Sequence, residues 1–129
     1  MLYKINNAMI PKNTLVIGAS LNPIRYSYRA VQTLRSHQVP TRAIGLKEGM
    51  ISDVSIDTKA KEYTGIHTVT LYLNPLRQKA YYDYIISLRP QRVIFNPGTE
   101  NPEFMQLLDS YNISYEIACT LVLLATRQF

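Results

Sequence analysis

The stretch Thr14-Leu-Val-Ile-Gly-Ala-Ser-Leu-Asn-Pro-Ile-Arg-Tyr-Ser27 decides the fold. Its apolar run, residues 15–17, is typical of a strand that is buried on both faces. Gly18 then allows a sharp turn at a point where a side chain would clash. Asn22 is a favoured helix cap, and Pro23 is favoured at the first helical position. The stretch therefore predicts a strand, a tight turn and a helix that begins near Pro23.

The turn and the helix start together form a ready site for a phosphate group. Free backbone N–H groups and the positive end of the helix dipole point to one place there. Ser20 and Ser27 add hydroxyl groups, and Arg25 adds a positive charge. The stretch thus predicts an anion site as well as a fold.

The remainder of the chain alternates between strand and helix patterns. Apolar and β-branched runs predict further strands at about residues 41–46, 67–73, 92–95 and 114–118. Helical periods predict helices over about residues 23–36, 75–88, 102–111 and 121–125. The first of these helices is expected to bury Ile24, Tyr28, Val31 and Leu34. Residues 47–63 are compatible with either a small hairpin or an irregular loop. The pattern predicts an α/β fold, in which a doubly wound parallel sheet of about five strands carries helices on both faces.

Length and composition indicate one domain. The chain has 129 residues, of which 47% are hydrophobic and 18% charged, as in ordinary globular proteins. Residues 1–13 are predicted to be an arm or a short helix, and residues 14–129 the domain itself. The single cysteine, Cys119, excludes an internal disulfide and is typical of the reducing cytoplasm. No apolar run is long enough to span a membrane, so we expect a cytoplasmic protein without a membrane partner.

Topology places a candidate site before any ligand is considered. In open parallel sheets, ligands bind at the carboxyl ends of the strands, where the strand order reverses. The predicted strands end at residues 18, 46, 73 and 95, and each is followed by turn or helix-start residues. The expected binding residues are Gly18, Ala19, Ser20, Asn22, Pro23, Arg25, Ser27, Leu46, Lys47, Leu73, Asn74, Pro75, Asn96 and Gly98.

The residues favour a ligand with a phosphorylated ribose. A dinucleotide fingerprint reads G-x-G-x-x-G after the first strand, but this chain keeps only Gly18 and has Pro23 in place of the third glycine. The second strand ends in Leu46-Lys47, where an NAD site has an acidic residue. Glu48 follows one residue later and stays open as a partner for the ribose. The lysine suits CoA, which carries a 3′-phosphate, or NADP, which carries a 2′-phosphate. The residue chemistry leaves these two ligands open.

The same stretch resembles the opening signature of the small, single-domain CoA-binding proteins. These proteins have a Rossmann-like, three-layer fold similar to the CoA-binding domain of succinyl-CoA synthetase. The similarity extends over about residues 14–125, and the matching residues are Gly18-Ala-Ser20, Asn22-Pro23, Arg25 and Ser27.

This resemblance implies which parts of CoA the site residues meet. Residues 18–20, Arg25 and Ser27 would hold the pyrophosphate, and Leu46 with Lys47 would meet the adenine and the ribose phosphate. The turn Asn96-Pro-Gly98 resembles the family's polar turn after the fourth strand.

The chain also departs from the family in two places. The family usually has basic residues before the proline after the third strand, where this chain has Leu73-Asn74-Pro75. It often has Asp-Arg ahead of the late cysteine, where this chain has Ile117-Ala118. The sequence therefore predicts fewer cations in the pocket.

We expect non-catalytic binding of CoA or an acyl-CoA, with the pyrophosphate at the turn of residues 18–20 and the first helix N-terminus. No convincing general base or nucleophile is evident, so no catalytic residue is assigned. Two alternatives stay open, namely an NADP-type dinucleotide-binding enzyme and a ligand-free interaction domain that keeps the fold.

The expected partner is a small nucleotide ligand. His37 and His67 lack neighbours at metal-ligand spacing, so no metal site is expected. The basic and aromatic residues form no compact platform, which argues against nucleic acid. Tyr81, Tyr82 and Tyr84 cluster on one predicted helix, and they could either form a homodimer interface or pack in the core.

Overall fold

The structure is a computed structural model that describes residues 1–5 and 8–129. These residues form nine strands and five α-helices. The strands are β1 (Leu2–Ile5), β2 (Ala8–Pro11), β3 (Thr14–Ala19), β4 (Thr41–Gly45), β5 (Gly49–Ile51), β6 (Val54–Asp57), β7 (Thr68–Leu71), β8 (Arg92–Phe95) and β9 (Ser114–Ile117). The helices are α1 (Tyr26–Ser36), α2 (Pro75–Gln78), α3 (Tyr82–Leu88), α4 (Pro102–Ser110) and α5 (Thr120–Ala125), with a 3₁₀ turn, Lys79–Tyr81, between α2 and α3.

Seven strands form one sheet, in the order β5-β6-β4-β3-β7-β8-β9. The six strands from β6 to β9 in this order are parallel, and β5 pairs with β6 in the antiparallel sense. In chain order the parallel strands run 3-2-1-4-5-6, which is the order of doubly wound nucleotide-binding sheets. The predicted α/β fold class is confirmed. The sheet is wider than predicted because residues 49–57 form a hairpin that adds two strands beside β4.

The sheet separates two hydrophobic cores because successive side chains of a strand point to opposite faces. Leu15 and Ile17 of β3 face one core, which α3 and α4 cover. Val16 faces the other, where it packs with Val31 of α1 and Leu124 of α5. Helices on both faces explain why the central strands read as continuous apolar runs.

The first helix begins later than the sequence predicts. α1 starts at Tyr26, with Arg25 as its N-cap residue. Asn22 instead closes a local turn, in which its side-chain oxygen accepts a hydrogen bond from the backbone N–H of Ile24 at 3.1 Å. Such a turn competes with helix formation. The predicted start near Pro23 is therefore wrong, and so is the predicted burial of Ile24, which is 79% exposed.

Two further Asn-Pro pairs, at residues 74–75 and 101–102, begin helices as predicted. The side chain of Asn74 accepts a hydrogen bond from Arg77 N at 2.9 Å, and that of Asn101 accepts one from Phe104 N at 3.1 Å. Each proline is the first residue of its helix. The helix predicted over residues 75–88 is interrupted by the 3₁₀ turn between α2 and α3.

The segment before the sheet is a hairpin. β1 and β2 pair in the antiparallel sense and form a sheet of their own. The alternative of a short helix is therefore wrong for residues 1–5 and 8–11, whereas residues 6–7 of the predicted arm lie outside the described residues. The ring of Tyr3 lies 4.3 Å from that of His67, so the hairpin contacts the start of β7.

None of the helices in residues 1–5 and 8–129 combines the length and apolar character needed to cross a membrane.

His67 gives the fold a pH dependence. Burial, together with the nearby charges of Arg92 and Lys12, lowers the pKa of His67 to about 4. The hydroxyl of Thr68 accepts a hydrogen bond from Arg92 Nε at 2.9 Å and lies 2.7 Å from His67 Nδ1. The Thr68 hydroxyl can donate its proton to an unprotonated Nδ1. The fold thus favours the neutral imidazole.

We expect the free energy of unfolding to fall by about 2 kcal/mol as the pH drops from 7 to 4. Between the ordinary pKa of histidine and the native value, the unfolded chain binds a proton that the native state does not. His67→Phe, which keeps a ring against Tyr3, should flatten the dependence in this range. Urea unfolding at closely spaced pH values measures it, and an unchanged slope in the variant would contradict the assignment.

Candidate functional site

A cavity of about 850 Å³ lies at the carboxyl ends of β3, β4, β7 and β8. The chain leaves β3 toward β4 through α1, and leaves β7 toward β8 through α2 and α3. These connections run in opposite directions and on opposite faces of the sheet. The cavity therefore lies at the point where the strand order reverses, as expected from the sequence.

The end of β3 and the turn after it line this cavity. Gly18 has a φ of +96°, and a Cβ there would lie 2.9 Å from the carbonyl carbon of Tyr72. Only glycine allows the turn to pass this close to the end of β7. The hydroxyl of Ser20 accepts a hydrogen bond from Asn22 N at 3.1 Å. The predicted strand-turn-helix geometry is present, although the helix starts at Tyr26.

The N-terminus of α1 opens onto the cavity. Arg25, Tyr26 and Ser27 all line it, and Ser27 is otherwise buried. The first N–H groups of a helix have no partner within the helix, and they lie at the positive end of its dipole. This end of α1 is therefore suited to an anion.

Three cationic side chains line the cavity in the described part of the chain, namely Arg25, Lys47 and Arg77. All three are exposed, and none takes part in an ion pair with another described residue. The described lining residues include no Asp or Glu. The described lining side chains thus carry a net positive charge, and the carboxylate of Glu100 lies next to them, where it accepts a hydrogen bond from Gly98 N at 2.7 Å.

Arg77 was missed by the sequence prediction, which expected fewer cations after the third strand. It lies in the first turn of α2, and its backbone N–H is bound by the Asn74 cap. This helical turn carries the guanidinium to the cavity wall. The signal was present in the sequence, since Arg77 lies three residues after a recognisable Asn-Pro helix start. Arg77 thus supplies a cation after the proline, although the family's basic residues before the proline are absent.

Most of the expected site residues lie together on the cavity wall. Those that line it are Gly18, Ala19, Ser20, Asn22, Arg25, Ser27, Leu46, Lys47, Leu73, Asn74 and Gly98. Three expected residues are not part of the wall, namely Pro23, Pro75 and Asn96. The two prolines shape turns and helix starts beside it.

Asn96 lies beneath the cavity because its side chain is needed inside the protein. Its Nδ2 donates to Thr70 Oγ1 at 2.7 Å and to Leu71 O at 2.9 Å. Its Oδ1 accepts a hydrogen bond from Thr120 N at 2.9 Å. These bonds join β7, the end of β8 and the start of α5. The expectation that Asn96 meets the ligand is corrected to a structural role under the site.

Gln78 fixes one wall of the cavity from behind. This buried side chain donates from Nε2 to Leu73 O and to Thr99 O, both at 2.8 Å. Its Oε1 accepts a hydrogen bond from Asn101 Nδ2 at 2.9 Å. Because Leu73 and Thr99 both line the cavity, these bonds set its width. A glutamine in a short helix carries no sequence signal for such a role.

The three clustered tyrosines make different contacts, although the rings of Tyr81 and Tyr84 pack edge to face with 6.4 Å between their centroids. Tyr81 lines the cavity, Tyr82 stacks on Phe104 with 4.3 Å between ring centroids, and Tyr84 donates a hydrogen bond to Lys61 O at 2.6 Å. They do not form one exposed face. A homodimer stays a prediction.

The comparisons identify the family. A family model described as a CoA binding domain matches residues 12–125. The chain belongs to this CoA-binding domain family. An uncharacterized protein known from its crystal structure is 43% identical to this CoA-binding domain, with a TM-score of 0.89 over 92% of this chain and 98% of that chain. No curated protein matches the chain.

Two more distant structures share the fold of this CoA-binding domain. Cell-free ID.343 from Thermus thermophilus is 19% identical, with a TM-score of 0.80 over 92% of this chain and 91% of that chain. A hypothetical protein from Pyrococcus horikoshii OT3 is 20% identical, with a TM-score of 0.79 over 92% of this chain and 84% of that chain. The hairpin of β1 and β2 precedes the range that the family model matches.

Proposed function

We propose that this domain binds CoA or an acyl-CoA and catalyses no reaction on it. The observation that carries the proposal is the cavity wall, on which Arg25, Lys47 and Arg77 meet no carboxylate of a described lining residue. CoA is a polyanion with a pyrophosphate and a 3′-phosphate, and it matches that excess positive charge. Membership of the CoA-binding domain family supports the same ligand.

The pyrophosphate is assigned to the turn of residues 18–20 and the N-terminus of α1. A Cβ at position 18 would collide with the backbone of Tyr72, so Gly18 allows the turn to lie against the end of β7. Arg25 and Ser27 stand at the same helix end. Arg77 reaches the cavity from the opposite side, on α2. In this assignment two guanidinium groups hold the pyrophosphate between them.

The adenine and the ribose phosphate are assigned to the end of β4. Leu46 and Lys47 line the cavity there, and both are exposed. The lysine ammonium suits a phosphate monoester, and the leucine side chain suits the face of a purine. The cavity volume lies within the range found for small-molecule sites, about 300–1,000 Å³.

The described lining residues offer no candidate for a catalytic role. They include no His, Cys, Asp or Glu side chain. Burial raises the pKa of Tyr72, so its phenol stays protonated at neutral pH. A general base is thus not available among these residues. The free thiol of Cys119 supports the reducing cytoplasm as the location.

Thermal unfolding in the presence of CoA, dephospho-CoA, NADP or NAD tests the proposal. A ligand that binds only the native state raises the melting temperature by mass action. We expect CoA to stabilise the most and dephospho-CoA less. Stabilisation by NADP alone would replace CoA with a dinucleotide, and no shift with any of the four would favour a ligand-free interaction domain.

Lys47→Ala is expected to lower the affinity for CoA by about tenfold, because one charge-assisted hydrogen bond to the 3′-phosphate is lost. The affinity for dephospho-CoA should not change. Isothermal titration with both ligands measures the difference. Lys59→Ala, an exposed lysine away from the cavity, is the matched control. An equal loss for both ligands would remove the phosphate role from Lys47.

A further inference from the structure

Large apolar side chains are exposed around the mouth of the cavity. Each of the three cations on the wall directly follows such a residue in the chain, in the pairs Ile24-Arg25, Leu46-Lys47 and Leu76-Arg77. Ile24 is 79% exposed, and Leu46 and Leu76 are each 77% exposed. These are the highest exposures of large hydrophobic side chains in the described part of the chain. Because Leu46 lines the cavity and is assigned to the adenine, only Ile24 and Leu76 are called the apolar rim.

Ile24 and Leu76 flank the point where the strand order reverses. Ile24 precedes α1 on one face of the sheet, whereas Leu76 lies in α2 on the other face. Neither packs in a hydrophobic core. Leu21 and Tyr26 are also exposed, at 37% and 65%, and both line the cavity. Apolar surface therefore continues from the cavity wall to the rim.

We propose that the apolar rim binds the hydrocarbon tail of an acyl-CoA, so that the preferred ligand is an acyl thioester with an apolar chain. This inference rests on the proposed function. An amphipathic molecule with an anionic head and an apolar tail matches cations inside the cavity and apolar side chains outside it. A single acyl-CoA would therefore contact both the cations of the cavity wall and the apolar rim.

A second copy of the chain fits the rim less well. Docking it there would bring the cationic wall of one copy close to another protein of net charge +5. Like charges at that separation oppose association. The tail of a ligand whose phosphates neutralise Arg25, Lys47 and Arg77 meets no such repulsion.

Titration with CoA, acetyl-CoA and octanoyl-CoA tests the inference. Each methylene removed from water adds about fourfold to affinity when fully buried. We expect octanoyl-CoA to bind at least ~30-fold more tightly than acetyl-CoA, since an open rim covers only part of the chain. The variant Ile24→Ser with Leu76→Ser should abolish this preference and leave the affinity for CoA unchanged. Neither residue lines the cavity.

The variant Leu2→Ser with Met9→Ser is the matched control, because both residues are exposed on the hairpin of β1 and β2. It should keep the preference for the octanoyl chain. Equal binding of all three ligands, or a preference that persists in the rim variant, would overturn the inference while the proposed function stands. Binding of none of them would overturn both. The three ligands could also bind equally while the protein forms a dimer or attaches to phosphatidylglycerol vesicles. If the rim variant disrupts that association, the rim is assigned to that partner instead.

Discussion

Gly45→Ala is expected to lower the free energy of unfolding by about 3 kcal/mol. An added Cβ would lie 2.2 Å from the backbone oxygen of Ala19 and 3.0 Å from Ile56 Cγ2. The pairing of β3 with β4 is irregular between Ile17 and Ala19, and this irregularity sets the Ala19 carbonyl against Gly45. The backbone of β3 would have to move, so the variant should also weaken ligand binding at the turn of residues 18–20. Urea unfolding and CoA titration measure the two effects.

Gly49→Ala is the matched control for this substitution. Its added Cβ would also meet a close neighbour, Leu21 Cδ2 at 2.6 Å. That neighbour is the end of a flexible, partly exposed side chain that can turn away. The cost should be below about 1 kcal/mol. If the two variants were equally stable, the contact between Gly45 and Ala19 would not determine the geometry of this edge.

Removal of both guanidinium groups from the cavity is expected to lower the affinity for CoA by about a thousandfold. Arg25→Ala and Arg77→Ala each remove a charge-assisted contact with the pyrophosphate, at about 2 kcal/mol each. The double variant should also bind with a weaker dependence on salt concentration, because fewer charges are paired with the ligand. Calorimetric titration at two ionic strengths measures both effects.

Arg29→Ala and Lys79→Ala serve as controls for the two helices. Arg29 lies on α1 and its guanidinium sits over the ring of Tyr26, whereas Lys79 follows α2 and pairs with Glu103 at 3.9 Å. Neither side chain lines the cavity, so both variants should bind CoA like the unchanged protein. Loss of affinity in Arg25→Ala without loss in Arg77→Ala would confine the anion site to the β3–α1 turn and remove Arg77 from it.

Local sequence patterns predicted five of the nine strands and most helix starts of this protein. A run of apolar residues such as 15–17 is suited to a strand that is buried on both faces. Asn-Pro pairs end one secondary-structure element and begin the next. The alternation of these patterns determined the parallel sheet and hence the edge where the cavity lies. One local pattern misled, because the side chain of Asn22 bonds to its own loop and delays α1.

Contacts between distant parts of the chain decided the rest. Asn96 and Gln78 are polar residues whose buried roles depend on carbonyl groups that the folded sheet brings to them. The need for glycine at position 45 arises only when the Ala19 carbonyl of a neighbouring strand packs against it. Although α2 and β3 are far apart in the sequence, α2 begins beside β3 in the folded protein, and Arg77 therefore reaches the cavity. Sequence patterns thus determined which elements form and where a site belongs, whereas tertiary packing decided which side chains face it.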